Sequence, residues 1–220
     1  MEVTDYILKR TSRLTPKAEV TDPTYSAFND GSVEVEVAEF LYSLVRLTKP
    51  HFVLETGTHL GISALYMALG MERNGRGEIE TYEILPELQV KAIALWQDVG
   101  MTHRIGAHLL SSLQAEGGRP IDLLFLDSEP QLRFDEFLRF WPDLVPGGLI
   151  LIHDLDRRFG HHGQVHHGTY DWPYGDFRLK LGELIGNLEL QFITPPSPRG
   201  LTVFQKVDAS FEGVNYLRSA

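Results

Sequence analysis

The sequence predicts an α/β domain with a doubly wound, mostly parallel sheet. Two observations support this fold. Short apolar runs alternate along the chain with segments whose apolar residues recur at helical spacing. The run Ile121-Asp-Leu-Leu-Phe-Leu-Asp127 is almost continuously apolar, as a strand must be when helices cover both faces of its sheet. A length of 220 residues is enough for one such domain with a buried core.

The elements follow in a regular order. Strands are predicted at residues 52–55, 78–83, 104–108, 121–127, 149–154, 188–194 and 201–206. Helices are predicted at residues 6–13, 33–47, 62–69, 86–99, 109–115, 134–141 and 176–185. Pro50, Pro86 and Gly100 mark helix boundaries, and Pro146-Gly-Gly148 predicts a turn. These elements divide the chain into an N-terminal arm (1–32), a main domain (33–207) and a C-terminal tail (208–220).

The composition argues against several classes of function. The chain has 20 Lys and Arg against 30 Asp and Glu, a formal net charge of −10, and it lacks the basic cluster of a nucleic-acid binder. An acidic surface also opposes binding to anionic membranes. The absence of cysteine excludes disulfides and thiolate metal sites. Neither a signal peptide nor an apolar run of the ~20 residues that cross a membrane is visible, so a cytoplasmic protein is expected.

Acidic residues stand at the ends of four predicted strands: Glu55, Glu83, Asp127 and Asp154, the last preceded by His153. The carboxyl ends of parallel strands meet at one edge of the sheet, where ligands bind in this class of fold. Several carboxylates on one edge repel each other and are not needed for stability. We therefore expect a binding site there, although each acid taken alone could equally be a solvated strand end.

A glycine turn, Gly57-Thr-His-Leu-Gly61, joins the first strand to the following helix. Such a turn suits close approach of a ligand to the backbone, and an ordinary βα turn is the alternative. A dinucleotide fold would have Gly-x-Gly-x-x-Gly here, but His59 replaces the middle glycine. Glu83 stands where a carboxylate accepts ribose hydroxyls, and Glu55 would repel a pyrophosphate. The two acids favour a cofactor with an adenosyl group and a cationic amino-acid part over NAD.

Four segments resemble, in order, the motifs of class I S-adenosylmethionine-dependent methyltransferases, and especially their small-molecule O-methyltransferase branch. These segments are Val53-Leu-Glu-Thr-Gly-Thr-His-Leu-Gly-Ile-Ser63, Tyr82-Glu-Ile-Leu-Pro-Glu87, the run at 121–127, and Val145-Pro-Gly-Gly-Leu-Ile-Leu-Ile-His-Asp154. The segment Gly200-Leu-Thr-Val-Phe-Gln-Lys206 resembles the antiparallel last strand of that fold. The resemblance covers residues 35–207 and implies a seven-stranded, Rossmann-like sheet.

The resemblance also implies roles for individual residues. The methionine part of the cofactor would lie among Glu55, Gly57, Thr58, Gly61 and Ser63. Glu83 would bind the ribose, Ala107 or His108 would lie beside the adenine, and Asp127 would lie near the sulfonium and the acceptor. Asp154, His153 and Asp127 are the candidate catalytic residues, with Asp154 or His153 as general base.

Metal-dependent members of the family hold a divalent cation between acids that match Asp127 and Asp154. The third ligand position falls on Leu155, which cannot bind a metal, although Asp156 or a histidine could substitute. The segment His161-His-Gly-Gln-Val-His-His167 offers imidazoles, and His161 and His162 are the candidate ligands. A polar loop without a ligand is the alternative interpretation of this segment.

The expected function is therefore methyl transfer from S-adenosylmethionine to a hydroxyl of a small molecule, such as a sugar or a phenol, with or without a divalent metal. Two alternatives stay open on the same scaffold: a metal-dependent hydroxylase or other oxidoreductase, and a non-catalytic cofactor-binding subunit. The N-terminal arm could cover the site or mediate a homo-oligomer. Neither a nucleic acid nor a membrane is expected as a partner.

Overall fold

The computed structural model describes residues 2–20, 22–29, 31–154, 182–183, 186–187, 189–195, 197 and 199–207. Seven strands form the main sheet: β1 (Phe52–Thr56), β2 (Glu78–Glu83), β3 (Ile105–Leu109), β4 (Ile121–Leu126), β5 (Leu144–His153), β6 (Leu190–Ile193) and β7 (Leu201–Lys206). The helices are α1 (Val3–Leu8), α2 (Val35–Thr48), α3 (Ile62–Asn74), α4 (Pro86–Val99) and α5 (Arg133–Phe140). A small hairpin, whose strands Lys17–Ala18 and Ser26–Ala27 have two residues each, precedes α2.

The order of strands across the sheet is β3-β2-β1-β4-β5-β7-β6. The first five strands are parallel, whereas β7 pairs antiparallel with both β5 and β6. The strand order reverses between β1 and β4, which places a switch point beside the carboxyl end of β1. This confirms the predicted doubly wound sheet with an antiparallel last strand.

Apolar side chains cover both faces of the sheet. Val53 of β1 packs in a core with residues of α2, α3 and α4, and its neighbour Leu54 packs in a second core that contains Phe137 and Phe140 of α5. Successive side chains of a strand point to opposite faces, so one apolar run supplies both cores. This explains why β1 and β4 are apolar at consecutive positions.

Two local predictions are wrong. Residues 109–115 do not form a helix, because β3 extends to Leu109, which pairs with Glu83, and only the short 3-10 turn Ser112–Gln114 follows. Pro146-Gly-Gly148 lies within β5, where the pairing with β4 shifts register between Ile121 and Leu123. The predicted helix 176–185 falls largely outside the described residues.

The N-terminal residues pack on the main domain. Ile7 of α1 is fully buried, and Thr11 donates a hydrogen bond of 2.8 Å to Asp98 at the end of α4. The hairpin is followed by residues 31–34, which lie beside the carboxyl edge of the sheet. The division of the chain into arm, main domain and tail stays a prediction. Among the described residues, we find no helix with the length and apolar character needed to cross a membrane.

Candidate active site

The carboxyl ends of β1, β2, β4 and β5 surround a cleft of about 390 Å³. Gly57, Glu83, Asp127 and Asp154 line it, so three of the four predicted strand-end acids face one hollow. The fourth acid, Glu55, is fully buried beneath. Apolar side chains of Ile84, Leu85, Leu88, Leu110 and Leu132 complete one side of the cleft.

The glycine turn after β1 depends on its glycines. Gly57 has φ 83°, and a Cβ at this position would lie 2.4 Å from the carbonyl oxygen of Asp127. Gly61 has φ 72°, and a Cβ there would meet the Trp96 indole at 2.6 Å. His59 also has a positive φ, 48°, a strained conformation for a residue with a side chain. The turn is therefore fitted tightly against β4 and α4.

Gly57→Ala should lower the free energy of unfolding by about 2 kcal/mol more than Gly75→Ala, because overpacking adds to the cost of positive φ. Gly75 is the matched control: its φ is 70°, but a Cβ there would meet nothing within 4 Å. Urea denaturation of the two variants measures the difference. Equal losses of stability would show that the turn can move away from β4.

Glu55 is a buried carboxyl group near two other acids. The Thr81 hydroxyl donates to its Oε2 at 2.6 Å, and Thr81 in turn lies 2.6 Å from the hydroxyl of Thr58. Burial raises the pKa of Glu55 to about 8, and the charges of Asp127 and Glu83 add to this effect, although the Ser63 and Thr81 hydroxyls oppose it. Burial and the two neighbouring acids therefore favour the protonated form of Glu55.

Glu83 is held in one orientation at the end of β2. Its Oε1 accepts hydrogen bonds from the backbone N–H groups of Ile84, at 2.8 Å, and Leu85, at 3.0 Å. Its Oε2 accepts from the N–H of His59 in the glycine turn, at 2.8 Å. Each carboxylate oxygen can accept more than one hydrogen bond. Glu83 therefore presents a fixed acceptor to the cleft.

Three predicted catalytic side chains converge after β4 and β5. The Nδ1 atom of His153 lies 3.1 Å from Oδ1 of Asp127 and 3.4 Å from Oδ1 of Asp154. Asp154 has φ 55°, a conformation that turns the chain at the cleft edge. His153 is 1% exposed. Burial opposes its protonation, but the charges of Asp154 and Asp127 and its hydrogen bonds raise its pKa to about 10.

Three further charged residues complete this group, and none was predicted from the sequence. Glu34 places Oε2 2.9 Å from Nε2 of His153 and Oε1 3.2 Å from Nε of Arg199. Burial would raise the pKa of Glu34, but His153 and Arg199 lower it to about 2. Arg133 reaches Asp127 at 3.5 Å and Asp154 at 3.3 Å through Nη2. We call these six residues, Glu34, Asp127, Arg133, His153, Asp154 and Arg199, the charge cluster.

Part of the chain is similar in sequence to known methyltransferases. Residues 54–155 match a family described as a methyltransferase domain. A protein of Mycobacterium sp. (strain JLS), named "Putative O-methyltransferase", is 30% identical over 127 residues, which are 56% of this chain and 57% of that protein. The catechol O-methyltransferase of Niastella koreensis is 27% identical over 129 residues, with 56% and 57% covered. The chain thus spans little more than half the length of these curated relatives.

The fold agrees with the sequence match. The crystal structure of an O-methyltransferase from Bacillus cereus in complex with S-adenosylhomocysteine has a TM-score of 0.65, is 22% identical, and the match covers 80% of this chain and 83% of that one. Residues 54–155 are thus similar to a methyltransferase domain, and the fold of the chain is that of solved methyltransferases. The resemblance seen in the four sequence segments is thereby confirmed.

The resemblance places Ala107 or His108, near the end of β3, beside the adenine. The ring of His108 stacks on Tyr82 with centroids 4.8 Å apart, and its Nε2 lies 3.6 Å from Glu80. His108 does not line the cleft, whereas Leu110, Ser111 and Ser112 do. The contact of His108 or Ala107 with a cofactor stays a prediction, and the geometry favours residues 110–112 for that role.

Part of the metal prediction lies outside the described residues: His161, His162, Leu155 and Asp156. Among described residues, Asp127, His153 and Asp154 each place one potential ligand atom within 4.8 Å of the others. This agrees with the predicted convergence of the two aspartates and includes His153, one of the candidate catalytic residues.

The sequence also missed a buried carboxyl group that supports the cleft floor. Glu136 of α5 accepts hydrogen bonds from Thr56 at 3.0 Å, from Ser128 at 2.7 Å and from Ser112. Ser112 and Ser128 both line the cleft. Burial raises the pKa of Glu136, and the three hydroxyls oppose this shift. No signal in the sequence pointed to it, because Glu136 falls on the side of α5 opposite Phe134 and Leu138, which were expected to be buried.

Proposed function

We propose that this chain is an S-adenosylmethionine-dependent O-methyltransferase that acts on a hydroxyl of a small molecule. The observation that carries the proposal is Glu83, a carboxylate fixed by three backbone N–H groups at the edge of a cleft that the glycine turn also lines. The names of the relatives and the S-adenosylhomocysteine bound to the Bacillus cereus enzyme support it.

The residues present fit this cofactor. Glu83 can accept hydrogen bonds from both ribose hydroxyls, because its lone pairs are not exhausted by three N–H groups. The Oε1 atom of Glu55 is buried, and it has no hydrogen-bond partner among the described residues. A cationic amino-acid group placed above Glu55 would supply the missing partner and favour its ionised form. Leu85, Leu88 and Leu110 offer an apolar wall for the adenine.

The chain's part in the reaction is positioning and proton transfer. When bound, S-adenosylmethionine supplies an electrophilic methyl group on a sulfonium. Asp127 and Asp154 line the cleft beyond Glu83, on the side where the acceptor would lie. We assign Asp154 as the group that accepts the hydroxyl proton of the acceptor. His153 suits this role less well, because both its ring nitrogens face carboxylates.

Calorimetry with S-adenosylhomocysteine tests cofactor binding. The wild-type protein should bind it, and Glu83→Ala should weaken binding about 10- to 100-fold, since a hydrogen bond to a charged group contributes roughly 1.5–3 kcal/mol. Glu80→Ala is the matched control, because Glu80 lies on the same strand and outside the cleft lining. It should bind as the wild type does.

Two results would contradict the proposal. One is the absence of S-adenosylhomocysteine binding to folded wild-type protein. The other is binding without transfer of a labelled methyl group to any member of a panel of phenols, catechols and sugars, which would favour the non-catalytic alternative. The panel would also identify the acceptor class.

A further inference from the structure

The charge cluster stands where metal-dependent members of this family would place a divalent cation. The ligand atoms of Asp127, His153 and Asp154 lie close enough to surround one. A metal at this position would bind and polarise the acceptor oxygen. The carboxylates of the cluster, however, already face cationic side chains.

Two guanidinium groups occupy the carboxylates that a metal would need. Arg133 spans Asp127 and Asp154 with one nitrogen, and its other nitrogens donate to the backbone carbonyls of Ser128 and His153. Arg199 lies 3.6 Å from Oδ1 of Asp154 and 3.2 Å from Glu34. Their side chains are only 2% and 5% exposed, so water does not screen these charges. Both arginines also line the cleft.

The histidine of the cluster is equally unsuited to a metal. Its two ring nitrogens are already paired with carboxylate oxygens of Asp127 and Glu34, at 3.1 and 2.9 Å. A metal-binding imidazole must direct a free lone pair at the ion. The two guanidiniums together already face all three carboxylates of the cluster, those of Glu34, Asp127 and Asp154.

We propose that Arg133 and Arg199 take the place of the family's metal ion, so that the site is metal-free and its positive charge comes from the two guanidiniums. Because they lie at the cleft, they can stabilise the negative charge that develops on an acceptor oxygen as its proton leaves. The stabilising role of the guanidiniums rests on the proposed methyl transfer. The absence of a metal ion does not depend on the proposed function, and a separate experiment tests it.

Manganese binding to the wild type and to Asp127→Asn tests the metal-free site, by counting bound Mn²⁺ with electron paramagnetic resonance. We expect the same number of bound ions per chain in both proteins. If Asp127 binds no metal, its replacement removes no ion, and ions bound by other residues remain. One ion fewer in the variant would overturn the proposal. If Asp127→Asn does not fold, Asp154→Asn replaces it, and wild-type protein without any bound Mn²⁺ supports the proposal unaided.

The role of the guanidinium is tested with Arg199→Met and Arg199→Lys once an acceptor is known. We expect Arg199→Met to lower kcat about 100-fold, the loss typical of one electrostatic donor, with unchanged affinity for S-adenosylhomocysteine. Arg199→Lys should recover part of kcat, because it keeps the charge. An equal loss in both variants, or a parallel loss of S-adenosylhomocysteine affinity, would overturn the role. Failure of the proposed function would instead appear as no turnover by the wild type.

Discussion

Replacement of Arg133 by methionine should lower the free energy of unfolding by about 3–5 kcal/mol. Arg133 is 1% exposed and contacts two carboxylates and two backbone carbonyls. Removal of the guanidinium leaves Asp127 and Asp154, whose side chains are only 13% and 11% exposed, with fewer cationic partners. The loss of one partner from a largely buried ionic group costs this much because the remaining charges are less well compensated and have little access to water. Guanidinium chloride denaturation at pH 7 measures the change.

Arg119→Met is the control for this prediction. Arg119 also bridges two carboxylates, Glu78 and Glu80, but its side chain is 42% exposed. Exposed ion pairs contribute roughly 0–1 kcal/mol, because water solvates each charge when its partner is lost. We expect Arg119→Met to cost under about 1 kcal/mol. Similar losses in the two variants would show that the charge cluster is solvated, which would also weaken the case for guanidiniums in place of a metal.

The strands and the acids at their ends could be predicted because their signals are local. A buried parallel strand is a continuous apolar run, and the residue that follows it falls at the carboxyl edge whatever the rest of the chain does. Glu83 and Asp127 were therefore placed on one cleft from spacing alone. The resemblance to the methyltransferases rests on the same segments.

The partners of these acids could not be predicted, because they come from distant parts of the chain. Glu34 and Arg199 are 165 residues apart and meet only when the N-terminal residues close on β7. No periodicity connects such positions. A buried arginine such as Arg133 gives no local signal either, since Lys and Arg are ordinarily exposed. The sequence thus showed the two aspartates and the histidine of the cluster and missed Glu34 and the two arginines.

The error at residues 109–115 has a related cause. Leu109, Leu110 and Leu113 are spaced as on a helix face, but Leu109 pairs with Glu83 in the sheet. The requirements of the sheet override local spacing over such a short segment. The cofactor contact of Ala107 or His108 was inferred from the resemblance and stays a prediction.

Replacement of Glu55 by glutamine should stabilise the cofactor-free protein, and increasingly so as the pH rises. Burial raises the pKa of Glu55 from 4.5 to about 8 in the folded state. Below pH 4.5 both states hold the proton. Between pH 4.5 and 8 only the unfolded state releases it, so rising pH favours unfolding by about 1.4 kcal/mol per pH unit, about 3 kcal/mol at pH 7. Above pH 8 both states have released the proton, and the loss of folding stability no longer changes with pH.

The glutamine variant has no proton to release, while every other titrating group is shared with the wild type. The difference in unfolding free energy between the two proteins should therefore be near zero at pH 4.5 and about 3 kcal/mol at pH 7. Glu78→Gln is the control: Glu78 is exposed at the start of β2, and its variant should stay within about 0.5 kcal/mol of the wild type at both pH values. A pH-independent difference for Glu55→Gln would show that Glu55 is ionised in the cofactor-free fold.

Glu55→Gln should also weaken cofactor binding. A variant that is more stable but binds the cofactor less tightly would indicate that Glu55 serves binding and not folding. If Glu55 ionises when a cationic amino-acid group binds above it, the wild type should release a proton on binding S-adenosylhomocysteine at pH 7. Calorimetry in buffers of different ionisation enthalpy detects that proton. Glu55→Gln should release none and should bind about 10-fold or more weakly. A variant that is both more stable and fully competent in binding would mean that the buried carboxyl group serves neither folding nor the cofactor.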